Sequence, residues 1–189
     1  MSTETAKPGN GTKMRDQKLT FYHPNTAGNG VALQCEPRVN RRESDRYNCF
    51  FFEMAAQKTG PERDGDKRVM PTFDWANKLT VKFDFADICE LLMVLEGRQE
   101  RVGGQKNGIY HDTDKANTII TFGKIAEKNG FAFGLSRKDK GSGQLTRLNI
   151  GLSEAEGLGL KAVIQAGLFF ITFHSQVFPH METQKESGN

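Results

Sequence analysis

Lysine and arginine side chains placed at alternate positions along apolar segments can track the phosphates of a nucleic acid, and this chain contains several such sets. In Lys78-Leu79-Thr80-Val81-Lys82-Phe83 the apolar residues Leu79, Val81 and Phe83 recur at period two. On a strand, Lys78, Thr80 and Lys82 then project from the opposite face. By the same parity Val31–Arg38 turns Ala32, Gln34, Glu36 and Arg38 outward, and a short first strand turns Lys18, Thr20 and Tyr22 outward against Leu19 and Phe21. Arg38, Arg41, Arg42 and Arg46 form the densest basic cluster. It reads either as a phosphate contact at a hairpin tip or as a solvated turn neutralised by Glu43 and Asp45. Lys124, Arg137 and Arg147 lie on later predicted strands and extend the electrostatic track; Arg137 shares the parity of Phe131 and Phe133, so it is expected at the edge of a buried face.

Binding a single strand also needs flat groups on which bases stack. Phe50, Phe51 and Phe52 cannot all face one side of a strand. Phe50 and Phe52 belong with Met54 in a core, which leaves Phe51 beside Tyr47 on the other face. Phe51 is then either a stacking platform or a residue packed under a helix or a neighbouring protomer. Tyr22 adds a ring to the outer face, whereas Trp75 reads as a packing anchor.

Catalytic chemistry has little support. The four histidines, His23, His111, His174 and His180, show no paired metal-ligand spacing. His111-Asp112 with Asp114 can be drawn as a metal or acid–base site, or as a polar strand end. Gly28-Asn29-Gly30 and Gly141-Ser142-Gly143 lack the Lys-Ser/Thr ending of a phosphate loop. The three cysteines, Cys35, Cys49 and Cys89, have no zinc-type pairing and read as small core residues. No enzyme activity, cofactor or metal is expected.

The elements that must position these side chains follow from the patterning of a 189-residue chain with 37% hydrophobic and 26% charged residues and a net charge of +3. That balance suits one soluble domain and permits a nucleic-acid partner. No run looks long and apolar enough to span a bilayer. Residues 1–17 and 179–189 read as flexible tails flanking a domain over 18–178. A strand-to-helix junction occurs twice: Leu79–Asp87 returns as Leu148–Glu156, each with an N-cap residue (Asp84, Ser153) and an acid three positions on (Asp87, Glu156). This predicts an α+β domain of two β-β-β-β-α halves, about 18–97 and 108–175, with eight strands and two helices. The first helix has Phe85, Ile88, Leu91, Leu92 and Leu95 as its apolar stripe and Gly97 as its terminator. Lys128-Asn129-Gly130 suggests a two-residue hairpin turn. The second helix, from Glu154 to about His174, is apolar on most of its circumference and must be covered all round. A second protomer is expected to cover what one sheet cannot.

Three stretches, in order, resemble the Whirly family of single-stranded DNA-binding proteins. Val31-Ala32-Leu33-Gln34-Cys35-Glu36-Pro37-Arg38 is similar to that family's second strand, roughly Ala-Ala-Leu-Thr-Ile-Glu-Pro-Arg. Phe73-Asp74-Trp75-Ala76-Asn77-Lys78 is similar to Tyr-Asp-Trp-Ser-Arg-Lys, and Tyr110-His111-Asp112 to Phe-His-Asp. The resemblance runs from about Thr20 to His174 and extends to the superfamily of the positive-cofactor-four coactivators and the kinetoplastid guide-RNA-binding proteins. The family's Lys-Gly-Lys element is replaced by Gly28, Asn29 and Gly30, so any role of those lysines does not carry over.

The resemblance implies two antiparallel four-stranded sheets, helices at the centre of a homotetramer, and single-stranded nucleic acid across sheet edges and between protomers. The expected function is non-enzymatic binding of single-stranded DNA with little sequence preference, in DNA metabolism or transcription regulation. Single-stranded RNA, or a protein partner met by the same sheets, is the alternative. No membrane partner is expected. The lack of an Arg/Ser-rich, acid-poor leader favours a cytoplasmic setting of bacterial or phage type.

Overall fold

The computed structural model describes residues 18–38, 48–64, 67–126 and 129–177. Arg41, Arg42, Arg46 and Tyr47 lie outside the described residues. Strands β1 (Leu19–His23), β2 (Val31–Arg38), β3 (Cys49–Ala56) and β6 (Leu79–Phe83) form one antiparallel sheet in the order β1-β2-β3-β6. Strands β7 (Ile109–Asp112), β8 (Ala116–Lys124), β9 (Gly130–Asp139) and β10 (Leu145–Ser153) form a second in the order β10-β9-β8-β7. Helix α1 (Phe85–Leu95) follows β6, and helix α2 (Glu154–Val177) follows β10. Each half is thus four sheet strands and a helix. The polar loop before Pro71 holds one further hairpin, β4 (Glu62–Asp64) with β5 (Lys67–Val69).

Parity fills the space between the sheets. Leu33, Phe50, Phe52, Met54, Val81 and Phe83 from the first sheet meet Ile120, Phe122, Phe133, Leu135 and Ile150 from the second in one buried cluster. The rings of Phe52 and Phe133 stack 5.5 Å apart and join the two sheets directly. Arg137 closes the edge of this core, as its parity predicts: its guanidinium donates to the Thr80 carbonyl of β6 and to Thr118 Oγ1 at 3.1 Å. Burial lowers its pKa.

Both junctions form reciprocal capping boxes. Asp84 Oδ1 accepts from the Asp87 amide at 3.0 Å, and Asp87 Oδ2 accepts from the Asp84 amide at 3.2 Å. Ser153 Oγ accepts from the Glu156 amide at 3.2 Å while Glu156 Oε2 accepts from the Ser153 amide at 2.8 Å. Helix α1 ends at Gly97 (φ 75), with Gly97 and Arg98 amides donating to Val94 and Met93 carbonyls at 2.9 Å each, a Schellman closure.

The two halves also interlock across these boxes. His111 on β7 bonds Asp87 at the start of α1 at 3.0 Å, and His23 on β1 bonds Glu156 at the start of α2 at 2.7 Å. Each first strand thus supplies a histidine to the other half's helix. The hydrogen bond to Asp87 raises the His111 pKa above its ordinary 6.5 against the opposing effect of burial, and the charges of Asp87 and Asp84 add to it. A histidine that binds its proton more tightly when folded stabilises the fold fully below pH 6.5 and loses that contribution as pH rises through the folded value. The urea midpoint of the wild type should therefore fall over the pH range just above 6.5. In His111→Gln that fall should be smaller.

Helix α2 lies against both sheets. A Cβ at Gly157 would strike the Phe131 ring and one at Gly167 the Phe50 ring, so both positions must lack a side chain for the helix to approach. Leu160, Ile164 and Ile171 bury one face, while Leu158 is 68% and Phe169 60% exposed in the single chain. The window Glu154–Phe173, with mean hydropathy 1.3, is long and apolar enough by length and composition to cross a bilayer, contrary to the reading of the sequence. In this fold the Leu160–Ile171 face belongs to the core.

Other local expectations are corrected. The β8–β9 connection is not a two-residue turn: β8 ends at Lys124, β9 starts at Gly130, and the Ile125 amide donates to the Gly130 carbonyl at 3.1 Å. Phe85, placed in the buried stripe of α1, is 54% exposed because it opens the helix outside the sheet's cover; Ile88, Leu91 and Val94 are buried instead.

Candidate nucleic-acid interface

The outer face of the first sheet is ordered by its register. One row runs Thr20–Gln34–Glu53–Thr80, and the next runs Glu36–Phe51–Lys82, with Arg38 beside Cys49 beyond it. Lys18 stands at the entry of β1 and Lys78 at the entry of β6. Of the expected residues, this face brings together Lys18, Tyr22, Arg38, Phe51, Lys78 and Lys82. Phe51 is half-buried, with Lys82 opposite it on β6.

Two of the residues read as outward do not reach solvent. Ala32 is fully buried and Glu36 is 4% exposed, although both have outward parity. Tyr22, opposite Ala32, tilts its ring onto Phe73 at 5.5 Å, so the segment leading to the 3-10 turn at Trp75–Asn77 closes over this end of the sheet. Trp75 is half-buried in that turn, and Asp74 caps it by accepting from the Asn77 amide at 3.3 Å.

The cations of this face are paired. Lys78 Nζ lies 2.7 Å from Glu53 Oε1, and Lys18 Nζ lies 3.0 Å from Glu53 Oε2 and 3.3 Å from Glu36 Oε1. Arg38 approaches Glu36 Oε1 through Nη2 at 2.7 Å and Nε at 2.8 Å. Burial pulls the Lys18 pKa down, but hydrogen bonds and charge from Glu53 and Glu36 leave it raised. Burial pushes Glu53 up, and the bonds from Lys78 and Lys18 outweigh it, leaving its carboxyl below the usual range.

The second half's basic residues do not form a single track. Lys124 has the inward parity of Phe122 and lies at the end of that row, 3.9 Å from Glu100. Arg137 is the core-edge link already described. Arg147 is exposed on the opposite, outer face of the second sheet, in the row Tyr110–Ile119–Ser136–Arg147. That row reveals a ring that sequence reasoning missed as a candidate. Tyr110 is 59% exposed and donates its hydroxyl to the Lys106 carbonyl at 3.1 Å. It stands on the first strand of its half as Tyr22 does on β1, and each tyrosine precedes one of the interlocking histidines. The repeated Tyr-His pair was the available signal. Lys138, also exposed, lies one row further along the same face.

The Gly28-Asn29-Gly30 segment has its own local logic. Gln57 Oε1 accepts from the amides of Asn25 at 2.9 Å and Gly30 at 3.1 Å, and a Cβ on Gly30 would strike that amide group. A lysine side chain has no room at position 30.

The pairing pattern disassembles the hypothetical acid–base site. His111 turns inward to Asp87, while Asp112 on the other face pairs with Lys140 at 2.6 Å. Among the described residues no group of three His, Cys, Asp or Glu could hold a metal. The cysteines are free; Cys35 is buried, and burial followed by the neighbouring Glu36 charge pushes its pKa up to about 12.

Two four-stranded antiparallel sheets, each followed by a helix, constitute the Whirly fold. WHY3 from Arabidopsis thaliana matches with a TM-score of 0.64 at 16% identity, over 89% of this chain and 98% of its own. The plant transcriptional regulator PBF-2 matches at 0.63 and 15% identity, over 89% and 98%. A guide-RNA-binding protein complex bound to a guide RNA matches at 0.55 and 16% identity, over 86% and 97%. Identities at this level establish the fold. No protein-family model and no curated protein matches the sequence.

Proposed function

We propose that this protein binds single-stranded nucleic acid, DNA in the first instance, without catalysing a reaction and with little sequence preference. The observation that carries the reading is the outer face of the first sheet, where Phe51 stands beside Lys82 and is bordered by Lys18, Arg38 and Lys78. A ring among cations is what sequence-tolerant binding requires, because every base has a face to stack and every phosphate a charge to meet. The Whirly fold supports the same reading, as does the description of one fold relative as a transcriptional regulator. The exposed apolar flank of α2, with Leu158, Val163, Phe169 and Phe173, suits burial between protomers and supports a homotetramer.

RNA is the second reading, favoured by the fold relative solved with a guide RNA. Competition decides between them. A labelled DNA strand of about thirty nucleotides, bound by the protein, should be displaced by unlabelled DNA of the same sequence and resist duplex. Stronger displacement by matched RNA would transfer the role to RNA, through the 2′-hydroxyl that only RNA offers. Equal displacement by duplex would contradict stacking as the basis of binding.

A further inference from the structure

Two carboxylates lie almost wholly buried on a sheet face that otherwise presents cations. Glu36 is 4% and Glu53 6% exposed, and they link five groups in the order Lys78–Glu53–Lys18–Glu36–Arg38 across all four strands of the first sheet. Thr80 Oγ1 adds a 3.5 Å contact to Glu53 Oε1. Lys82 stands outside this chain of pairs, opposite Phe51.

We propose that Glu53, assisted by Glu36, is a positioning residue for nucleic-acid contact: an internal counter-ion that fixes the Lys18 and Lys78 ammonium groups and withholds them from phosphate. The inference rests on the nucleic-acid reading above. Three cations set against two carboxylates leave a single net positive charge over five groups. Phosphate could take Lys18 or Lys78 fully only by stripping a buried carboxylate of its partner, and an unpaired buried charge is costly. These cations therefore release few salt ions when a strand binds, whereas Lys82 is unencumbered. The consequence is selectivity. Duplex DNA offers phosphates but closed bases, so a face whose lysines are internally neutralised attracts it weakly. A single strand still gains the stacking term at Phe51.

The test is Glu53→Gln, which keeps the shape and removes the charge. Binding to a labelled single strand and to duplex is measured across a salt series, with the urea midpoint recorded separately. Freeing two lysines should steepen the slope of log K against log salt for the single strand by about 1.4, at roughly 0.7 per phosphate contact. Single-strand affinity at low salt should rise by roughly tenfold, and duplex affinity should rise at least as much. A carboxylate that serves stability alone would move the urea midpoint and leave the slope unchanged. Should Glu53→Gln fail to fold, Glu36→Gln makes the same measurement through Lys18 and Arg38. Wild-type binding with an unchanged slope in the folded variant overturns this inference and leaves the nucleic-acid reading intact. A wild type that binds no strand overturns both.

Discussion

Phe133→Ala should destabilise the protein by about 3–5 kcal/mol, the range for removing a fully buried phenylalanine. Phe133 is 0% exposed. Its ring stacks on Phe52 at 5.5 Å and lies 6.3 Å from Phe83 and 6.0 Å from Phe122, so it touches aromatic neighbours in both sheets. The cavity would open between two rigid sheets that cannot close on it without moving Arg137 off the Thr80 carbonyl. A domain of this size is stable by about 5–15 kcal/mol in total, so the loss is a large part of the whole. Urea denaturation of wild type and variant checks it. A shift corresponding to less than about 1 kcal/mol would mean that the sheets are not held together through this ring.

Phe51→Ala should leave the fold largely intact and weaken single-strand binding by about 1–3 kcal/mol, roughly 5- to 150-fold, the usual value of one base stacked on an aromatic ring. Phe51 has outward parity on β3 and is half-buried between Glu36 on β2 and Lys82 on β6. Truncating it removes no contact from the core cluster, which lies on the opposite side of the strand. The salt slope should be unchanged, since stacking releases no counter-ions, and that separates its role from that of Lys82. Intact binding accompanied by a large fall in the urea midpoint would assign Phe51 to packing. Circular dichroism of the variant guards against misfolding.

Features governed by a few neighbouring residues were legible in the sequence. The capping boxes at Asp84 and Ser153 need only residues three apart, and Gly97 terminates its helix through a backbone angle that glycine adopts freely. Strand parity placed Leu79, Val81 and Phe83 inward and Lys82 outward, because a period of two is a property of the backbone. Parity could not say what covers a face. Ala32 is buried through the closure near Phe73, and Glu36 through a pairing network spread over four strands; both depend on residues far away in the chain.

The same limit split the second-half cations. Lys124 and Arg137 fall on one face and Arg147 on the other, which follows only once the registers of β8, β9 and β10 are known. The histidines show the limit most clearly. Tyr22-His23 and Tyr110-His111 are visible as a repeat, but their roles appear only when each half is seen to cap the other half's helix. Replacement of the lysine at position 30 became intelligible when Gln57, 27 residues away, was found in the space its side chain would need.

The account's central claim is that this sheet surface binds an extended single strand by charge and stacking together. Its most direct test is the anisotropy of a labelled single strand of about thirty nucleotides, titrated with wild-type protein at a series of salt concentrations. The account predicts saturable binding that weakens as salt rises, with a slope well below the count of cations on the face because Lys18, Lys78 and Arg38 are already paired. Absence of binding at the lowest salt would contradict it and assign the paired face to a protein partner.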